Sequence, residues 1–174
     1  MNAERERFER TVLPHLDAAY NLARWLTRND HDAEDVLQDA LLRAYRHFAG
    51  LRGEPRPWLL AVLRNACWSW LQANRPAEIE PLDDEIADES LPGPDAAFSR
   101  KLDRRLLNEA IAALPVQFRE VLVLRELEDL SYRDIARIAD IPIGTVMSRL
   151  SRARRLLADS MRVITRASRP EVHR

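Results

Sequence analysis

The chain has 174 residues, 46% of them hydrophobic, which suffices for one or two small domains with a folded core. A single cysteine, Cys67, excludes a disulfide framework, and with no signal peptide and no long apolar run nothing points to export or to a membrane span. The formal net charge of −1 conceals a segregation: residues 1–75 sum to +1, residues 76–98 to −8 and residues 99–174 to +6, so only the last stretch has the basic excess of a polyanion binder. Glycine is scarce and β-branched runs between turn signals are nearly absent, which favours an all-α protein expected in the cytoplasm.

In chain order, Phe8, Val12, Leu16, Tyr20, Ala23 and Leu26 follow helical spacing, and Pro14 divides them into a short helix and a longer one. Residues 29–32 form a turn, with Asp30 or Asp32 as the expected N-cap of the next helix, residues 32–48. Leu37, Leu41, Ala44, Tyr45 and Phe48 are its expected core stripe. Asp32, Glu34 and Asp35 load its first turn with negative charge, which complements the helix dipole. His31, Asp32, Glu34 and Asp35 have metal-ligand chemistry, but neighbouring positions on a helix do not converge on one ion.

Residues 49–56 (AGLRGEPR) form a loop, and a helix starts near Pro57. Leu59, Val62, Leu63, Ala66 and Trp70 face inward; Trp58, Ala61, Asn65 and Trp68 lie along another side. A Trp beside Arg64 and Asn65 could stack on single-stranded bases, although packing in a core is the commoner use. Residues 76–98, with their proline and acid content, are an acidic flexible linker. About 20 such residues span about 25 Å on average and roughly 70 Å when stretched, so the parts they join could sit well apart.

From Ser99 a helix carries Leu102, Leu106, Leu107, Ala110, Ile111 and Leu114, and Pro115 ends it. Phe118, Val121, Leu122 and Leu124 begin another. Residues 130–157 then form two short helices around a tight turn. Ser131 with Asp134 is a capping-box pattern, and Pro142 fits the first turn of the second helix. Ile143, Val146, Leu150, Ala153 and Leu157 make that helix's buried stripe. The opposite face carries Gly144, Thr145, Ser148, Ser151, Arg152 and Arg155, flanked by Arg149 and Arg154. Small hydroxyls and arginines without an acid suit a helix lying in a DNA major groove; a solvated face on an ordinary bundle helix is the alternative. The tail, residues 167–174, is polar. No nucleophile–base pair, phosphate-cradling glycine loop or spaced Cys/His cluster is present, so the chain is expected to be no enzyme and to hold no cofactor and no metal.

Three blocks in order resemble bacterial RNA polymerase sigma factors of the sigma-70 family, extracytoplasmic-function (ECF) group: DAEDVLQDALLRAY, the WL…RNAC pattern (Trp58, Leu59, Arg64, Asn65), and ALPVQFREVLVLRELEDLSYRDIARIADIPIGTVMSRLSRARRLL. The resemblance implies two small helical domains joined by the acidic linker, the C-terminal one a helix-turn-helix bundle. Residues 1–75 would be region 2-like, binding core polymerase and melting the −10 element; residues 99–166 would be region 4-like, reading the −35 element. By the same resemblance Asp32, Glu34, Asp35, Gln38 and Asp39 match positions that bind the β′ clamp helices. The loop Gly50, Leu51, Arg52, Gly53 to Arg56 matches the pocket that captures a flipped −10 base, with Arg64 and Asn65 beside that strand. Thr145, Met147, Ser148, Arg149, Ser151, Arg152 and Arg155 match the −35-reading face. Implied partners are core RNA polymerase (β′ clamp helices and β flap), promoter DNA and an inhibitory anti-sigma protein; the linker matches the segment that runs toward the RNA exit path. Two departures stand out: Met147 occupies a spot where many relatives carry a basic residue, and the end of the second block, WLQANRP, is less basic than usual. A free-standing helix-turn-helix regulator, with residues 1–75 as a sensor or dimerisation domain, is the competing function, and an adaptor that binds only proteins a third. The acidic DAEDVLQDA helix argues against the regulator, which has no need of it, and the Arg-rich face of the last helix argues against the adaptor.

Overall fold

The computed structural model describes residues 2–79 and 101–167; most of the expected linker, the start of the helix expected from Ser99, the side chain of Leu102 and residues 168–174 lie outside them. Among the described residues all regular structure is helical.

The N-terminal half begins with α1 (Asn2–Val12). A single 3-10 turn, Leu13–His15, holds Pro14, whose missing N–H stops the α-helical ladder there. Then comes α2 (Leu16–Thr27), closed by Arg28 in the left-handed conformation. Helix α3 (Asp30–His47) is capped by neither Asp30 nor Asp32: Asn29 is the extended residue, and its side chain accepts the Asp32 N–H at 3.0 Å. The buried stripe of α3 also differs from expectation. It is Ala33, Val36, Ala40, Ala44 and Phe48, while Leu37 and Leu41 are half-buried and Tyr45 is exposed. Three alanines let α3 approach α2 and α4 closely, and the larger residues fold over the flanks.

Helix α4 (Pro55–Asn74) starts slightly earlier than expected, because Pro55 itself fits the first turn. It buries Leu59, Leu60, Leu63, Ala66, Cys67 and Leu71; Val62 and Trp70 are only half-buried. An aromatic chain ties α1 to this body. Phe8 meets Tyr45 and Phe48 edge-on at 5.1 and 5.3 Å, and Phe48 leans on Trp58 at 6.4 Å.

The C-terminal half runs α5 (Lys101–Ala112), α6 (Val116–Leu122), one π-helical turn (Val123–Leu127), α7 (Tyr132–Ala139) and α8 (Ile143–Ala167). Ser131 accepts the Asp134 N–H at 3.1 Å, as the capping pattern predicts. Asp140 closes α7 in the left-handed conformation. Helix α8 continues past Leu157 and buries Val146, Leu150, Ser151, Ala153 and Met161, with Leu157 half-buried. Ile143, its first residue, is exposed, so the buried stripe begins one turn later at Val146.

The two halves share one continuous core. Helix α4 packs on α7 and α2 packs on α6, and every residue of α6 is buried, including Gln117, Arg119 and Glu120. Arg119 reaches across the boundary: its guanidinium donates to Ala112 O (3.0 Å) and Leu114 O (2.8 Å) near the end of α5 and to Leu26 O (3.3 Å) near the end of α2. A cation belongs at such carbonyl-rich helix ends. Burial lowers its pKa to about 10, which leaves it charged at neutral pH.

Leu63→Ala, in the centre of the core, is expected to lower the unfolding free energy by about 2–5 kcal/mol in chemical denaturation. Asn29→Ala is expected to cost about 1 kcal/mol by removing one helix cap. Equal losses for the two would contradict this ranking of core over cap.

Candidate nucleic-acid interface

On α8 the apolar residues face inward and leave an open side. Ile143, Gly144, Met147 and Arg155 are exposed, and Thr145, Ser148 and Arg149 are half-buried. Ser148 donates its hydroxyl to Thr145 O at 3.1 Å, which holds it along the helix. Two expected readers turn elsewhere. Ser151 is 5% exposed, and Arg152 is half-buried with its guanidinium 5.1 Å from the Phe118 ring centre. Arg154 is fixed to Glu126 at 2.6 Å. Met147 is 54% exposed, on the open side rather than at its margin. This side offers a thioether, small groups and Arg155 to a groove.

On α3 the acids form a second exposed surface. Glu34, Asp35, Gln38 and Asp39 are exposed; His31 stands 3.6 Å from Asp35, and Arg43 pairs with Asp39 at 2.9 Å. Asp32 is half-buried and paired with Arg75 at 3.3 Å, which also donates to Thr27 O at 2.6 Å. It therefore braces the start of α3 from within. Leu42 and Tyr45, 59% and 43% exposed, extend the face one and two turns beyond Gln38. Sequence reasoning missed them, although Leu42 lies four residues after Gln38 and hence on the same side.

The loop before α4 is a third element. Gly50, Arg52 and Gly53 are exposed and Leu51 is half-buried. Gly53 has φ +77°, a left-handed conformation that favours glycine. Asn65 is exposed, whereas Arg56 and Arg64 are engaged by the C-terminal half. Arg56 Nη2 donates to Glu128 O at 2.7 Å and to its carboxylate at 2.9 Å. Arg64 Nε donates to the fully buried Glu120 carboxylate, which also accepts the Trp68 indole N–H at 3.1 Å.

Other chemistry is thin. Burial raises the Cys67 pKa, aided by the nearby Glu120 charge, and leaves an unreactive thiol. Among the described residues no group of three His, Cys, Asp or Glu side chains could hold a metal ion, and no helix is long and apolar enough to cross a membrane.

Residues 11–76 match the family model for Sigma-70 region 2, and residues 104–157 match Sigma-70, region 4. The chain is 34% identical over 155 residues to the ECF RNA polymerase sigma-E factor of Haemophilus influenzae, covering 80% of this chain and 79% of that protein. It is 29% identical over 174 residues to the RNA polymerase sigma-H factor of Pseudomonas aeruginosa, covering 94% and 90%. The ECF sigma-E factor of Escherichia coli is 32% identical over 146 residues, covering 78% and 76%. The solved structure of the sigma factor RpoE in complex with the anti-sigma factor NepR from Bartonella quintana superposes with a TM-score of 0.71 at 29% identity, over 91% of this chain and 98% of that one. CnrH in complex with the cytosolic domain of CnrY shares the fold, with a TM-score of 0.64 at 21% identity over 95% and 91%. A free-standing regulator is not favoured, since residues 11–76 match region 2. With the two region matches in order along one chain and relatives of comparable length, the protein belongs to the sigma-70 family as a sigma factor of the extracytoplasmic-function group, directing promoter-specific transcription initiation.

Proposed function

We propose that residues 1–75 dock on core RNA polymerase and capture the −10 strand, that residues 99–166 read the −35 duplex, and that residues 76–98 connect them. The observation that carries this division is the pair of unlike exposed surfaces, acidic on α3 and, from Ile143 to Arg155, without an acid on the open side of α8. Glu34, Asp35, Gln38 and Asp39, with Leu42 and Tyr45 beside them, form a charged face with an apolar patch, as a protein partner needs and DNA repels. The β′ clamp helices are the partner the family resemblance implies, and Asp32 contributes by bracing the helix.

The open side of α8 faces the −35 groove. Thr145, Ser148, Arg149 and Arg155 supply hydrogen bonds to base edges and phosphates, and Gly144 permits close approach. Arg152 supports this side from its stacked position on Phe118, and Ser151 packs beneath it. The loop Gly50 to Gly53, with Arg56, Arg64 and Asn65, holds an extruded −10 base, and contacts there offset an unstacking cost of a few kcal/mol. Neither half binds a promoter tightly alone; polymerase fixes their spacing, so two weak readers act as one bivalent reader. No covalent chemistry is asked of the chain. It works in the cytoplasm, and the anti-sigma complexes of its structural relatives support an inhibitory protein partner here as well.

Asp35→Arg and Gln38→Ala, both at exposed positions, are expected to reduce co-purification with core polymerase while leaving thermal unfolding unchanged; normal co-purification would remove them from the interface. Arg155→Ala is expected to lower initiation about tenfold at promoters with a good −35 element, the scale of one base-edge contact. Unchanged transcription would displace the −35 groove from this side of α8. Met147→Lys is expected to strengthen promoter binding and to steepen its salt dependence by about one phosphate contact. An unaltered salt slope would place Met147 away from DNA.

A further inference from the structure

Two apolar side chains stand on the part of α8 assigned above to the −35 groove. Ile143 is 45% exposed and Met147 is 54% exposed, while Val146 and Leu150 on the adjoining side are buried. Ile143 and Met147 lie one helical turn apart, hence about 40° from one another around the axis and on the same side. Gly144 follows Ile143 directly. A Cβ added at Gly144 would meet no atom of the described residues within 4 Å, and its φ lies outside the left-handed region. Neither packing nor backbone conformation within the chain therefore requires glycine there, although glycine weakens a helix relative to alanine. The bare backbone leaves room for a body outside the chain. From Ile143 to Arg155 the helix carries four arginines and no acid, so its charge suits DNA as that body.

A base edge in the major groove offers hydrogen-bond donors and acceptors and one apolar group, the C5-methyl of thymine. Against N7, O6 or an amino group, a thioether or an isoleucine side chain strips away water and returns little. Against a methyl, both partners leave water together. Met147 is unbranched and polarisable, with the rotatable bonds to follow a methyl, and Ile143 is stiff. A recognition helix touches base edges with its N-terminal residues, and these are the first and fifth residues of α8. We propose that Ile143 and Met147 select thymine in the −35 element by packing on its C5-methyl. The inference rests on the placement of α8 in the −35 groove made above. Along the axis the two side chains are about 6 Å apart, close to two base steps of about 3.4 Å each, so each can take one of two closely spaced thymines. Arginine and hydroxyl contacts to base edges do not supply this selection between thymine and uracil, since both bases present the same O4 acceptor.

The test uses holoenzyme reconstituted from the full chain and core RNA polymerase. Transcription from a DNA library randomised through the −35 and −10 regions yields a preferred template. Each −35 thymine of that template, on either strand, is then replaced singly by deoxyuridine, which removes one methyl and keeps every hydrogen-bonding group. Equilibrium binding is measured for the parent, Met147→Ala and Ile143→Ala. At one thymine or more, deoxyuridine is expected to weaken binding by the parent about fourfold, the scale of one buried methyl-sized group. At that thymine one of the two alanine variants is expected to bind both templates alike. Both positions are exposed, so the fold is retained in these variants. A preferred −35 element without thymine, equal binding of the two templates by the parent, or a uracil penalty that both alanine variants keep in full overturns the proposal. Arg155→Ala separates this from failure of the placement beneath it. Unchanged initiation by that variant removes α8 from the −35 groove, and both readings fall. Lowered initiation by that variant, with no effect of uracil on the parent, leaves the groove placement intact and rejects the methyl readout alone.

Discussion

Arg119 and Glu120 are adjacent on a short helix, and both are buried. Each ion taken from water costs several kcal/mol unless it is fully partnered, so the partners of these two determine where α6 lies. Successive residues on a helix point about 100° apart. Arg119 therefore reaches the carbonyl ends of α2 and α5, while Glu120 reaches Arg64 and Trp68 on α4. With both satisfied, the rotation of α6 is set, and with it the register between the halves. The arrangement is not saturated, since Arg119 Nε finds no partner among the described residues.

This constraint connects stability to function. Helices α2, α3 and α4 form a body that carries the exposed acids of α3 on its outer surface, and α8 presents its open side from the other half. Both surfaces are free of core duty and project from elements held by packing rather than by loops. Arg28 and Arg75 extend the boundary network: Arg28 donates to Ala112 O at 3.3 Å and to Glu78 at 2.7 Å, and Arg75 stacks 4.9 Å from the Trp70 ring centre. The region between the halves is thus rich in arginine, and arginine also holds phosphate.

Periodicity made the helices legible, and Pro14 and Ser131 marked a break and a cap in the places where the structure has them. The α3 stripe was misjudged because leucine and tyrosine outweigh alanine in any hydrophobic pattern, yet close helix approach selects alanine. Asn29 was overlooked beside two aspartates that cap equally well in principle. The closed arrangement of the halves was not legible at all. Arg56, Arg64, Glu120 and Glu128 look like surface residues in a sequence, and a long polar linker implies separation. Ser151 looked like a reader because a small hydroxyl fits a groove, but it fits a tight helix contact equally well. The exposed acids of α3 and the exposed positions of α8 were legible, since an amphipathic helix reveals its wet side through its dry one.

The exposure of Ile143, Gly144, Met147 and Arg155 has an evolutionary consequence. Substitutions at exposed positions away from caps and core usually shift stability by no more than about 0.5 kcal/mol. On the proposed assignment, promoter preference carried on that side can drift one residue at a time, with each intermediate still folded and still able to engage polymerase through α3. A genome that duplicated this gene could redirect one copy to new targets without first stabilising it.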